Sequence, residues 1–508
     1  MSEQQQLIEA RELLRTGWYD AALARLEGCE EWTHPLDTQA IVLRAEAQLR
    51  RDPIDALESL ARTSHLFETP ESRLDYYIIS SKAYANSRNA DAAHHMLDLA
   101  EELAGRFPPR LPEIAHHRAR ARYIAGSSDP DDPDLERALT NPDPAGRFLS
   151  MVIRAWVFAE AGDYERQIVE LRAAIDLARD HLDVVDYHTL ARCLHSLAQI
   201  AFELGDAEAA DEAEAFYDKI EWTPDLRASQ FLCVRAFAWD AFLRGDSARA
   251  QWLLRDSKEL APTQPWKIMA HLDRAYVARI NRNEAWALEE VATAQELALE
   301  VNWSGVEGEE RQTLVTLATL LARSDMARAQ RYVSTYLRLG TDSIDPTLAI
   351  AHDKRTVGFA QYAVGRVHQV LENNAAAVSA FETAYAIFDQ ARHHFRAALA
   401  AQGLAELTGS NVWADRARDH AVHFPKSAFY QFLTSAVSRE AAPVIDGLSA
   451  LHRQLALALC AGLEIPELSK RFSRSEFTMK REVKALYERV GVQSRRGLRE
   501  LLESRGIV

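Results

Sequence analysis

A short stretch near the C-terminal end of the chain carries residues suited to gripping a polyanion. Lys480, Arg481 and Lys484 lie within five positions of one another, and Phe477 stands just before them. Residues three or four apart share one face of a helix. Met479, Val483, Leu486 and Val490 follow the same period and make an apolar stripe, so the other face shows Phe477, Lys480, Arg481, Lys484 and Glu488. Lys and Arg meet guanine O6 and N7 in the DNA major groove, and phosphates attract any cation. Ser475 is a good N-cap for such a helix, with Thr478 three residues on.

The neighbouring sequence supplies elements to hold that helix. A helix is expected over 451–460, stopped by Ala461-Gly462, and a short one over 465–472 with Pro466 in its first turn, where a missing N–H costs nothing. Ser473-Arg474-Ser475 makes a tight turn into the third helix, Gly491-Val492 ends it, and a last helix is expected over 494–503. A short helix, a tight turn and a longer helix with cations in its first turns is the helix-turn-helix arrangement, whose second helix enters the major groove.

At this point residues 448–508 resemble the LuxR-type (GerE) DNA-binding domain, which also ends MalT-like regulators and NarL-type response regulators. The matching residues are Leu448, Gly462-Leu463, Glu467, Arg471, Ser475, Thr478, Lys480, Tyr487, Gly491-Val492 and Ser494-Arg495. The resemblance implies contacts to double-stranded DNA by Ser475, Phe477, Thr478, Lys480, Arg481, Lys484 and Arg495, and dimerisation on DNA around Leu498 and Leu502. Two departures stand out: Gln454 occupies a position that is usually Glu, and Glu482 one that is often His. Glu482 and Glu476 bring negative charge toward the groove-facing side. Pairing with a neighbouring cation would neutralise Glu482, and Glu476 in a first turn suits the helix dipole.

Residues 1–435 read differently. Ala, Leu, Glu, Arg and Gln dominate, and apolar residues recur at helical spacing, as in Ala209-Ala213-Phe216-Ile220 and Ala250-Leu253-Leu254. Turn signals recur at Gly17, Arg51-Asp52, Asn86–Arg88, Gly126, Gly162, Gly205, Gly245, Asn281–Asn283, Ser324, Asn373-Asn374 and Gly409, mostly at the period of a helix-turn-helix repeat unit. Gly takes the sharp turn, an Asp behind it caps the next helix, and Ala22, Ala210 and Ala250 stand five positions after their Gly. Gln167 breaks that pattern after Gly162, and a Pro- and Asp-rich segment over 126–144 is expected to interrupt one unit as a loop.

This part resembles the tetratricopeptide repeat family, in degenerate form. The expectation is an all-α chain: a tetratricopeptide-like superhelix of about ten or eleven hairpins, a short linker over 436–447, and a four-helix LuxR-type domain over 448–508. The resemblance implies an extended concave surface that holds a peptide, a protein segment or a small molecule. All ten Trp fall in the repeats, among them Trp18, Trp156, Trp239 and Trp252, each readable as core or as a groove anchor. The pairs His94-His95, His116-His117 and His393-His394 are adjacent on their helices and so do not by themselves form a bidentate metal site.

Charge divides the chain as the pattern does. The 508 residues carry a net −16, but 448–508 holds 12 Lys+Arg against 7 Asp+Glu, leaving 47 against 68 elsewhere. The tail is therefore +5 and the repeats −21. With 47% hydrophobic and 26% charged residues, wholesale disorder is excluded. No apolar run reaches the ~18 residues of a membrane span. The start, MSEQQQLIEARELLR, lacks the pattern of a signal peptide. The four Cys match no zinc or redox spacing, and a cytoplasmic protein with reduced thiols is the simplest expectation. No P-loop motif, receiver pattern or Ser-His-Asp, Cys-His or metal constellation occurs, so neither an enzyme nor a cofactor is expected. The reading is a transcriptional regulator whose repeats sense an effector and which pairs as a homodimer at least on DNA. The alternative is a scaffold or anti-activator whose tail pairs with another regulator and does not bind DNA alone.

Overall fold

The computed structural model describes residues 2–306, 310, 313–322, 325–343, 354–437, 450–472, 474–490, 492 and 494–504. Every regular element among them is helical. Leu448, Gly491, Ser473, the Ser324 turn and most of the 436–447 linker lie outside the described residues.

The described residues up to 437 form consecutive antiparallel hairpins. Glu3–Thr16 pairs with Tyr19–Arg25, Leu36–Leu49 with Pro53–Thr63, Pro70–Asn86 with Ala90–Ala104, and Leu111–Ile124 with Pro133–Leu139. Pro144–Ala161 pairs with Tyr164–Asp180, Tyr187–Leu204 with Ala207–Tyr217, Arg227–Leu243 with Ser247–Leu260, and Gln264–Ile280 with Glu284–Leu299. Thr313–Leu321 pairs with Met326–Ser343, Lys354–Val370 with Asn374–Gln390, and His394–Thr408 with Asn411–Ala421; Ala428–Val437 follows as a single helix.

The turns explain why the hairpins form. At Gly162, Gly205 and Gly245 the backbone is left-handed, and Asp163, Asp206 and Asp246 accept the N–H three residues on. Where no Gly is available, Arg88, Arg282 and Glu372 take the left-handed turn themselves at φ near 60°. Asn89, Asn283 and Asn373 then replace the capping Asp. Four residues after the cap, Ala93, Ala210, Ala250, Ala287 and Ala377 are buried. Gln167 is buried at the same place, so the Gly162 unit keeps its geometry with a larger side chain.

One expectation needs correction, and one turn is new. The 126–144 segment is not an uninterrupted loop: Pro133–Leu139 is the second helix of its hairpin. Pro133 opens it, Asp132 caps it, and Asp132 and Asp134 both pair with Arg122. Arg392 also makes a left-handed turn, at φ 55°, that the sequence pattern did not announce.

More consequentially, the repeats do not meet their sequence neighbours alone, as they would in an open solenoid. The largest apolar core joins residues 148–280 to residues 377–433. Phe395 sits 5.5 Å from Trp239 and 5.1 Å from Phe429, ring centre to ring centre, and is almost fully buried. Arg396 donates to Glu203 at 3.0 Å, and Glu203 is wholly buried. The first hairpin also touches the middle of the stack. Thr223 donates to the Gly17 carbonyl at 2.9 Å, and the Tyr19 N–H donates to Asp225 at 2.9 Å.

The tail has its own core. Ala450–Cys460, Ile465–Arg471, Glu476–Val490 and Arg495–Ser504 enclose Leu455, Leu459, Leu468, Met479, Val483, Leu486, Val490, Leu498 and Leu502.

Candidate nucleic-acid interface

The helix Glu476–Val490 is held on one side and free on the other. Met479 and Leu486 are fully buried, Val483 and Val490 nearly so. Ser475 accepts the Thr478 N–H at 3.2 Å, and the two hydroxyls lie 2.8 Å apart, which fixes the first turn. The preceding helix carries a capping box, in which the Glu464 N–H donates to Glu467 at 2.7 Å. The Arg474 N–H donates to the Ser469 carbonyl, and the Ser469 hydroxyl donates to the Arg474 carbonyl at 2.5 Å, closing the turn between the two helices.

On the open side, Phe477, Lys480, Arg481 and Lys484 are all exposed. Lys480 and Arg481 make no ion pair or side-chain hydrogen bond among the described residues. Lys484 lies 3.8 Å from Glu488, and both side chains are well exposed. An exposed pair of that kind contributes little and yields readily to another anion.

The acidic residues separate into two cases. Glu482 lies 3.0 Å from His452 Nε2 and 3.4 Å from Arg474, so its carboxylate ties the first tail helix to the turn. Glu476 stays exposed in the first turn. Three further residues have partners within the tail itself. Arg495 donates to the Leu459 carbonyl at 2.5 Å and pairs with Glu464 at 2.8 Å, so it braces the end of the first tail helix. Leu498 and Leu502 face the tail's own core at 0% and 1% exposure, and the side of that helix open to solvent carries Arg496 and Arg499. Sequence reasoning missed the Arg495 brace because Leu459 and Glu464 come into reach only once the helices pack.

The repeats hold a second feature. Where the late hairpins close on the middle ones, a cleft of about 680 Å³ opens between the turns at Gly162–Glu165, Leu204–Asp206 and Gln390–His394. Arg392 pairs with Glu165 across it at 2.5 Å. His394 stacks on His423 and its Nδ1 lies 3.1 Å from His420, which in turn reaches Asp389 at 3.2 Å and the Tyr385 hydroxyl at 3.3 Å. Burial and the neighbouring rings push the His394 imidazole down to about 4, and burial also lowers His420 and His423. Of the Trp residues singled out, Trp239 is core, Trp156 stacks between Tyr123 and Arg192, and Trp18 and Trp252 are exposed. His116 and His117 are core residues, and all four cysteines are buried and outside any disulfide among the described residues.

No protein-family model and no curated protein matches the sequence. Among solved structures the chain is similar to the apo form of the quorum sensor NprR from B. thuringiensis, at 12% identity and a TM-score of 0.41, covering 82% of this chain and 98% of that one. It is also similar to the structure of Naa15/Naa10 bound to HypK-THB, at 15% identity and a TM-score of 0.21, covering 100% of this chain and 90% of that one. Likenesses this loose carry no argument about function. The chain is an all-helical protein built from repeating hairpins, and no helix among the described residues is long and apolar enough to cross a membrane.

Proposed function

We propose that this chain is a DNA-binding transcriptional regulator in which the helical repeats, of tetratricopeptide type, sense an effector and control a LuxR-type helix-turn-helix module. One observation carries the reading: the helix Glu476–Val490 buries its apolar stripe and leaves Lys480 and Arg481 exposed with no ionic partner among the described residues. Unpaired cations along one side of a helix whose preceding turn is rigidly capped suit a phosphate backbone and a major groove. Ser475 and Thr478 at the helix start suit a phosphate at the N-terminus.

Control runs through the late hairpins. They are the repeats nearest the tail in sequence, and they close on the middle of the stack around the cleft at Arg392 and His394. A peptide, protein segment or small molecule that favours the open or closed arrangement shifts the population and so the disposition of the DNA-binding module. A coupling of about 1–3 kcal/mol between the two sites gives a 5- to 150-fold switch. Pairing of two copies on DNA would use the exposed side of Arg495–Ser504, since Leu498 and Leu502 are occupied in the core.

The alternative, a scaffold whose tail engages another regulator, draws on the −21 charge of the repeats and on exposed Glu476. A mobility-shift assay with genomic fragments at two salt concentrations separates the two. A shift that weakens with salt supports the DNA reader; no shift at low salt supports the scaffold. Native mass spectrometry of the purified chain, searched for a co-purifying molecule, identifies the effector.

A further inference from the structure

Phe477 is the one phenylalanine among the prominently exposed apolar residues described, at 79% exposure. Its surroundings are unlike those of an incidental surface ring. It sits in the first turn of Glu476–Val490, and Lys480, Arg481 and Lys484 follow at three, four and seven residues. Those spacings put all four on one helix face. The opposite face is filled by Met479, Val483 and Leu486, so no rotation of the helix could bury the ring without expelling the core. The Ser475–Thr478 cap fixes the turn from which the ring projects.

A phenyl ring offers no donor or acceptor, so it cannot grip a phosphate or a base nitrogen or oxygen. The neighbouring cations nonetheless fit a polyanion, and within the major groove the apolar feature that distinguishes one base is the 5-methyl group of thymine. Residues in the first turns of a groove-bound helix are those that reach base edges. We propose that Phe477 is a specificity-determining residue that packs on a thymine 5-methyl group, so that the preferred half-site carries a thymine under the start of this helix. This rests on the DNA-binding reading above and adds which base the exposed ring selects.

The test uses the full chain. Its preferred duplex is selected from randomised DNA, and each thymine is then replaced by uracil, which lacks only the methyl. At one position the replacement should weaken binding about fourfold, the worth of one buried methyl. Phe477→Ala should bind the thymine and uracil duplexes alike, with an unchanged salt dependence because no charge is lost. Phe477→Leu should keep part of the discrimination. Since the ring is mostly exposed and lies outside the tail core, unaltered circular dichroism is expected for both variants. Binding that is indifferent to uracil at every position, or discrimination that survives Phe477→Ala, overturns the inference and leaves the DNA-binding reading standing. Failure to bind any duplex overturns both.

Discussion

The repeats and the tail use the same cation for opposite ends. In the repeats, arginines tie hairpins together: Arg235 pairs with buried Asp273, Arg274 with buried Glu290, and Arg396 with buried Glu203. Each guanidinium there is held by a carboxylate from another helix, and removing one partner leaves a costly buried charge. In the tail, Lys480 and Arg481 stand in solvent with no such partner among the described residues, and even Lys484 has only an exposed one. The +5 tail thus holds cations of both kinds: Arg474 and Arg495 hold its structure, while Lys480 and Arg481 are open to an anion.

That contrast breaks most visibly if the closure of the repeats is emptied. Phe395→Ala removes a buried ring from between Trp239 and Phe429 and should cost about 3–5 kcal/mol, in the range for Phe deletions in a packed core. Urea unfolding should show the loss. Hydrogen exchange over residues 394–433 should rise, while exchange within 476–490 stays protected by the separate tail core. If both regions loosen together, the tail is not energetically distinct from the repeats.

The second test is made on the exposed cations. Arg481→Ala should weaken a selected DNA site by about 1–3 kcal/mol and relax the preference at one position, if its guanidinium meets a base edge. Unfolding stability should stay within about 0.5 kcal/mol of the parent, as for surface changes that touch no packed group. Arg396→Ala, made beside it, should show the reverse: a clear loss of stability, because Glu203 is left buried without its guanidinium.

A gentler probe is pH. His394 is held neutral in the closed arrangement, with a folded pKa of about 4 against the ordinary value of 6.5. The open or unfolded state therefore binds more protons below pH 6.5, so closure is fully present above that value and weakens progressively as pH falls toward 4. His420 and His423 act in the same direction; Asp389 beside His420 and Arg392 beside His394 are the facing charges. Hydrogen exchange across 394–423 should accelerate between pH 7 and pH 5, and His394→Gln should flatten that slope. A flat wild-type profile would remove these histidines from the closure.

Much of the architecture was legible from local pattern. The Gly–Asp turns, the small residue behind each cap and the apolar stripe from Met479 to Val490 are all short-range features, and a helix-periodic sequence states them directly. The turns at Arg88, Arg282 and Glu372 fall at or beside the Asn-containing signals Asn86–Arg88, Asn281–Asn283 and Asn373-Asn374, whereas Arg392 lies between Ala391 and His393 and carries no such signal. The 126–144 segment misled because Pro and Asp read as a loop, yet Pro at a first helical position and Asp as its cap start a helix equally well. The closure of residues 377–433 on 148–280 was illegible: periodicity tells which face of a helix is buried and not which distant helix buries it. The same limit hid the tethering of Arg495 and the inward turn of Leu498 and Leu502, since a cation or a leucine near a helix end looks alike whether it faces a partner or its own core.

The smallest expected effect is the one that best sharpens the contrast between structural and available cations. Lys480 carries one exposed charge with no ionic partner among the described residues. If that charge meets a phosphate, Lys480→Ala should weaken every duplex by a similar factor and leave sequence preference intact. It should also lower the slope of log affinity against log salt by about 1, the release of roughly one counterion. A base-reading residue changes the preference instead, and a residue uninvolved in DNA changes neither. Binding isotherms at four salt concentrations, run on one selected and one scrambled duplex, distinguish these outcomes. An unchanged slope would move Lys480 out of the interface and leave Arg481 and Lys484 to carry the contact alone.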